Sequence, residues 1–508
     1  MVTNQRKVGI VLSYVSMFLN IIIGLIYVPL LLHFLGKDQY GLYQLMGSVI
    51  AYMAVMDFGL AGTITRYYSR YRALKDEEKQ SNVLAVSSII YTTISVIVLI
   101  IGTIIYFNLD KIFSNSLTQN ELSKAKKIFI IMLINVAITI PSHIFTAVIN
   151  SHERFIFARM LSIIQTISQP FVVIAVLHYK ADVIGLVIVQ TIFNIATITI
   201  KAYYSLAKIR VRVKMFSWDK SLVKEMVVFA FFIFINMIID QIYWKTDQII
   251  LGIISGTSAV AVYSIASQLN TYYINFSANI NNVFLPQVSA IAAKTNDMNE
   301  INKLFIKVGR IQFAIMSLIL AGFILYGKTF IVFWAGKDFE KAYYMSLIVM
   351  IPLLVPLIQN MGIVILQAKN KHAFRSKIYF LIALLNIILS IPLAKLYGGI
   401  GCAIGTSIAL FIGNVVIINI YYHKVIGIDI SAFIKEIFSM TLPVVLSLGI
   451  GLIINYYIDT TNITILVCKI ITYMLVFVAL MWFMGFNDYE KDLFKGAIRK
   501  IKVIAVRG

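Results

Sequence analysis

The sequence predicts an all-α polytopic membrane protein of about fourteen transmembrane helices, arranged as two six-helix lobes plus two C-terminal helices. Three observations predict it. The 508 residues are 60% hydrophobic and only 13% charged, with a mean hydropathy of +0.86, well outside the range of soluble domains. Apolar runs of about 20 residues, the length that crosses a hydrocarbon core, recur from Val8 to Phe486 with short loops between them. A shift of 220 residues lays the second set of runs over the first with its polar residues in register.

The first lobe (residues 1–206) holds spans at 8–32, 42–65, 84–107, 128–150, 160–177 and 182–206. The stretch 207–225 reads as a cytoplasmic linker. The second lobe (226–422) holds spans at 226–250, 259–285, 304–326, 344–367, 378–396 and 398–422, and two further spans follow at 437–458 and 464–486 (together 437–486). The first span starts just after Arg6 and Lys7 and carries no small-residue cleavage site, so it reads as a retained span. The tail, 487–508, is basic and partly apolar, and reads either as a surface-lying segment or as a solvated one.

The net charge of +21 is a topology signal. With the amino terminus in the cytoplasm, 32 of the 44 Lys and Arg fall on the inward side and ten on the outward side. That bias places both termini in the cytoplasm and removes nucleic acid as a partner. Cys402 and Cys468 lie inside spans, which excludes a disulfide framework.

The repeat is carried by polar residues. Ser16, Asn20 and Tyr27 share one face of span one. Adding 220 gives Asn236, Asp240 and Asp247 in span seven, with Tyr243 opposite Ile23. The turn Gly36–Tyr43 matches Gly256–Tyr263 in the same register. Each half starts on the cytoplasmic side, so the repeat is parallel, a doubling typical of transporters.

Span eight carries the longest polar stripe. Gln268, Tyr272, Asn275, Asn279 and Asn282 follow one another at steps of four and three residues, one continuous helical face. Amides in lipid need either helix partners or water, and five over four turns favour a wet cavity. The matching face of span two is Ser48, Tyr52, Val55, Gly59, Gly62 and Arg66. Arg66 can snorkel to headgroups or receive a phosphate with its planar guanidinium. Ionisable residues inside spans are the default functional candidates: Asp240 and Asp247 foremost, then Asp57, half a turn off the span-two stripe. Lys245 lies about 140° round the helix from the two acids, and Asp247 and Lys245 also fit an outer-interface position. His143, just past Pro141, reads as a packing residue. Metal-ligand spacings, phosphate-binding glycine loops and nucleophile motifs are absent, so neither an enzyme nor a cofactor is expected.

Three stretches, Met56–Asp–Phe–Gly–Leu60 followed by Arg66, Thr246–Asp–Gln–Ile–Ile–Leu–Gly252, and Phe333–Trp–Ala–Gly–Lys–Asp–Phe339, together with the whole-chain architecture, resemble a known group. It is the polysaccharide transport family of the multidrug/oligosaccharidyl-lipid/polysaccharide exporter superfamily, which includes the O-antigen and capsule-type flippases. The resemblance implies a V-shaped pair of lobes around a cavity that opens to either side in turn, lined by spans one, two, seven and eight. It also implies a polyprenyl-pyrophosphate-linked oligosaccharide as cargo, moved from the inner to the outer leaflet of a bacterial cytoplasmic membrane. Membrane lipids, and the polymerase and glycosyltransferases of the same pathway, are the implied partners. On that reading Asn20, Tyr27, Tyr52, Arg66, Asn236, Asp240, Tyr243, Gln268, Tyr272, Asn275, Asn279 and Asn282 line the cavity. Asp240, Asp247 and Asp57 are candidates for ion coupling, and Arg66, Arg70 and Arg72 stand at the inner mouth for the pyrophosphate.

One departure counts against a deeply held anionic headgroup. The related peptidoglycan-precursor flippases carry cavity arginines in spans one, two and eight, whereas spans one and eight here have no interior charge. The runner-up is a cation-coupled small-molecule antiporter of the same superfamily, usually a twelve-span bundle. A membrane glycosyltransferase would need a sizeable outward loop, and the longest here, about 108–127 and 327–343, are 17 to 20 residues.

Overall fold

The computed structural model describes residues 2–216, 220–294, 298–369, 371–493 and 495–496, and among them it contains helices and short connections but no strand. That is the outcome hydrocarbon demands, because a helix satisfies every backbone N–H and C=O within its own segment. In chain order the helices are α1 (Val2–Ala54), α2 (Leu60–Ala73), α3 (Glu77–Phe113), α4 (Gln119–Ser151), α5 (Phe155–Tyr179), α6 (Val183–Tyr203), α7 (Lys220–Ile254) and α8 (Gly256–Lys294). They continue with α9 (Met298–Ala335), α10 (Lys341–Ile358), α11 (Met361–Ala368), α12 (His372–Leu410), α13 (Ile418–Tyr421), α14 (Ile430–Ser439), α15 (Thr441–Tyr457) and α16 (Ile463–Leu480).

Among the described residues, 12 helical stretches are long and apolar enough to cross a membrane, against the fourteen expected. The two departures have physical causes. Spans one and two form a single stretch, Val11–Ala73, of 63 residues. A straight helix of that length would extend roughly 95 Å, far beyond a hydrocarbon core of about 30 Å. The chain turns instead at Gly36 (φ 72°, ψ 175°), a left-handed conformation that glycine adopts without steric cost. The other departure is α8, which is 39 residues long but too rich in amides and tyrosines to read as a lipid-immersed helix. Gly398 (φ 58°, ψ −134°) breaks α12 in the way Gly36 breaks α1, and there the two spans count separately, as Phe374–Tyr397 and Gly399–Ile426.

Local chemistry sets several helix starts. Asp76 accepts from the Lys79 amide (2.9 Å) to begin α3, and Thr118 with Glu121 forms a reciprocal capping box at α4. Asp429 and Asn462 cap α14 and α16 in the same manner.

Contacts divide the chain into two units, Met1–Ser264 and Ile265–Gly508. Helix α7 packs against α1, α2 and α3 and falls in the first unit. Within that unit α1 also packs on α4 and α5, α3 on α4, and α4 on α6. Side-chain amides join these helices: Asn194 donates to Asn135 Oδ1 (2.5 Å) and Thr139 Oγ1 (2.6 Å), a link of the kind that holds helices together where the hydrophobic effect cannot.

In the second unit α9 packs against α10, α14, α15 and α16. Its Arg310, 4% exposed, forks onto Glu490 through Nε (2.7 Å) and Nη2 (3.0 Å). The same guanidinium donates to the Gly485 carbonyl (2.8 Å) and to Glu436 (2.9 Å). One buried cation therefore ties α9 to α14 and to the segment after α16.

Candidate functional site

In the first unit the second span is broken in its middle. Helix α1 ends at Ala54, a tight turn spans Val55–Asp57, and Phe58 (φ 56°) and Gly59 (φ 62°) are both left-handed before α2 starts at Leu60. A left-handed non-glycine residue costs about 1–2 kcal/mol, so the break is held by its surroundings. Asp57 Oδ1 accepts from the Gly59 amide (2.8 Å). The Phe58 ring stacks on Phe234 of α7 at 4.2 Å between centroids, and a Cβ on Gly59 would strike the Ile233 side chain.

The free side of Asp57 faces α4. Its Oδ2 lies 3.7 Å from His143 Nε2, and Asp57 is only 14% exposed. The Tyr91 ring of α3 sits 6.3 Å from the His143 ring, and Lys201 of α6 donates to Thr146 (3.4 Å), one helical turn from His143. An acid from the break and a phenol, an imidazole and an ammonium from three helices thus converge there. Sequence reading missed this pairing, because the two residues are 86 positions apart. The one available signal was a histidine two residues after a helix-interior proline, opposite a rare intramembrane acid.

The Thr246–Gly252 motif is packed. Tyr52 bonds to Thr246, and Ser48 to Gln248. Asp247, 2% exposed, accepts from the Tyr263 hydroxyl at 2.5 Å. Ser116 donates to the Gly252 carbonyl (2.6 Å), and Thr257 donates to Glu121 (2.6 Å). Gly41 lies so close to Thr257 that a Cβ would overlap its carbonyl oxygen. Tyr52 and Asp247 are therefore members of an interhelical hydrogen-bond set at the later end of α7. Asn236 and Asp240 are exposed on the same helix, whereas Tyr243 is buried with its ring edge-on to Trp244 (4.7 Å). On α1, Asn20 is exposed and donates to its own-turn Ser16 carbonyl (2.8 Å), while the Tyr27 hydroxyl is buried. Arg66 is exposed on α2.

In the second unit α8 has two contrasting faces. Tyr273 and Ser277 are buried and donate to carbonyls of α9 and α10 (Met316, 3.3 Å; Leu357, 2.8 Å). On the amide face Gln268 donates to the Tyr272 hydroxyl (2.7 Å), and Asn279 donates to the Asn275 carbonyl (2.7 Å). Asn275 is exposed, and Gln268, Tyr272 and Asn279 are half-buried. The Asn282 side chain lies outside the described residues. Among the four described members the side chains bond only along their own helix, which leaves amide groups able to hydrogen-bond a hydroxyl-bearing molecule.

Comparison with known proteins agrees with this architecture. The chain is 19% identical over 388 residues, 74% of its own length and 88% of the other's, to a Shigella flexneri protein provisionally assigned as an O-antigen transporter. It is 23% identical over 182 residues to the "Probable flippase AglR" of Haloferax volcanii, a match spanning 35% of this chain and 37% of that protein. Among solved structures, the lipid II flippase MurJ in an inward closed conformation superposes with a TM-score of 0.72 at 19% identity, covering 96% of this chain and all of that one. An inward-facing multidrug resistance MATE transporter of the MOP superfamily superposes with a TM-score of 0.65 at 14% identity, covering 84% of this chain and 99% of that one. At these identities the two structures establish the fold alone. Residues 7–292, more than half of the chain, match the family described as polysaccharide biosynthesis protein, and the chain belongs to that family.

Proposed function

We propose that this protein flips a polyprenyl-pyrophosphate-linked oligosaccharide from the inner to the outer leaflet of a bacterial cytoplasmic membrane by alternating access. Membership of the polysaccharide biosynthesis family carries the reading, and relatives named as a flippase and as an O-antigen transporter agree with it. The amide face of α8 has the chemistry for sugar hydroxyls, and Tyr272 adds a ring on which a sugar can stack. The lipid tail stays in hydrocarbon, so the protein needs to shelter only the polar part. Polymerase and glycosyltransferases of the same pathway are the proposed partners.

The Asp57–His143 pair is the proposed proton-coupling element. Neutralising Asp57 removes the attraction for a protonated His143 at the break in the second span, so protonation and the geometry of that break are linked. Asp57→Asn keeps an acceptor for the Gly59 amide and should leave folding intact while flattening the pH dependence of transport. An unchanged pH profile in that variant would remove the pair from the mechanism.

The reading itself is tested by mass spectrometry of membrane lipids from cells depleted of the protein, combined with an impermeant sugar-modifying reagent. Build-up of a reagent-protected polyprenyl-pyrophosphate oligosaccharide is the expected result. An unchanged lipid-linked pool would sink the flippase reading and favour small-molecule export.

A further inference from the structure

At one end of the first unit, three segments distant in sequence enclose a cavity of about 470 Å³. The last turn of α2 contributes Arg72, the α2–α3 connection Lys75, the turn after α4 His152, and the run after α6 Arg210 and Arg212. Glu77 is the acid in this lining. Arg72 is held in place by donating to the Ser151 carbonyl (2.7 Å), and the His152 ring packs beside Tyr68 at 5.6 Å. Among the described residues, the side chains of Lys75, Arg210 and Arg212 make no ion pair or hydrogen bond.

The plain alternative is that these are scattered positive-inside charges, each projecting into solvent. Two observations argue against it. The cations converge on one concavity from separate segments. Lys75 (φ 56°), Arg210 (φ 59°) and Glu153 (φ 55°), next to His152, are left-handed non-glycine residues, three of the four such positions described in the chain. Each closes a helix end through a backbone hydrogen bond, Asp76 to the Tyr71 carbonyl, Arg154 to Ile149 and Val211 to Ser205, so three helix-ending turns fix the chain around the cavity.

We propose that this cavity is a docking site for a pyrophosphate-class anion at the inner membrane surface, engaged before translocation. Arginine forks match phosphate oxygens in pairs, and the cavity has room for a diphosphate with the start of an attached group. The proposal rests on the flippase reading in one respect, that the diphosphate is borne by the lipid-linked cargo. It also accounts for the lack of interior charge in spans one and eight, since the anion is held at the surface and not deep in the bilayer.

The test uses the full-length protein in nanodiscs of neutral phosphatidylcholine, titrated calorimetrically with inorganic pyrophosphate. The double substitution Arg210→Gly and Arg212→Gln, and separately Lys75→Gln, should weaken binding at least about tenfold. Removing two exposed cations elsewhere, Lys424→Gln with Lys435→Gln, should change it less than about twofold. All three altered cations of the cavity are exposed, and glycine relieves the left-handed backbone at 210, so the double variant should unfold no earlier than the wild type. Wild-type affinity in the cavity variants, or equal losses in the control, would overturn a built site. Farnesyl pyrophosphate in the disc should displace inorganic pyrophosphate. If a nucleoside diphosphate displaces it and the lipid does not, the lipid source is overturned, while the leaflet assay still judges the flippase reading separately.

Discussion

His152 shows how its surroundings decide a side chain's charge. Burial pushes its pKa below the ordinary histidine value, and Arg72 and Arg154 add to the effect against an opposing hydrogen bond to the Val148 carbonyl. A histidine whose folded-state pKa is depressed contributes stability that is fully present above about pH 6.5, its unfolded value. That contribution is lost as pH falls from there through the folded-state pKa. The thermal midpoint of the detergent-solubilised protein should therefore fall between pH 7 and pH 5, and His152→Gln should reduce that fall; parallel pH curves for the two proteins would refute the assignment. Gly41 makes a different residue-scale point. Glycine to alanine inside a helix normally stabilises by roughly 0.5–1 kcal/mol. Here the added Cβ meets the Thr257 carbonyl, so Gly41→Ala should destabilise instead, read as a lowered unfolding midpoint.

Among the elements, α9 owes its position to more than apolar packing. Arg310 is buried and shared between Glu490, Glu436 and the Gly485 carbonyl. Removing one partner of a buried pair leaves an uncompensated charge, at a cost of about 3–5 kcal/mol. Arg310→Ala should lower stability by about that amount, whereas Arg310→Met combined with Glu490→Met should recover most of it; a double variant no better than the single would show that packing, and not the stranded charge, sets the cost. The break in the second span is the other element that matters. Its left-handed Phe58 is offset by stacking on Phe234, so that turn is held by tertiary contact with α7.

On the scale of the whole chain, the family and the fold agree on a membrane transporter, and its relatives are provisionally assigned as a flippase and as an O-antigen transporter. The transport prediction at this scale concerns α8. Asn275→Leu with Asn279→Leu removes two amides from a face that is exposed or half-buried within its unit. The double variant should fold and insert normally yet slow appearance of the glycan lipid at the outer surface by about tenfold or more. Full transport would mean that this face does not meet the cargo.

Hydropathy, the charge bias and the amide stripe were legible in the sequence because each is local: a span's length, a loop's sign and a face's polarity need no knowledge of neighbours. Even the departure from fourteen expected spans traces to local features, the glycine turn at Gly36 and the polarity of α8. What each polar residue bonds to was not legible. Asp57 meets His143 across 86 residues, Ser48 meets Gln248 across 200, and Arg310 meets Glu490 across 180. Arg210 joins the cavity of Arg72 only because a left-handed turn follows α6. By itself the sequence determined an all-helical apolar bundle and the faces its helices present, since bilayer thickness and helix periodicity act on each segment separately. Only the tertiary structure decided which intramembrane charges are neighbours, because burial in hydrocarbon forces each to find a partner, and which partner is within reach depends on how the helices pack.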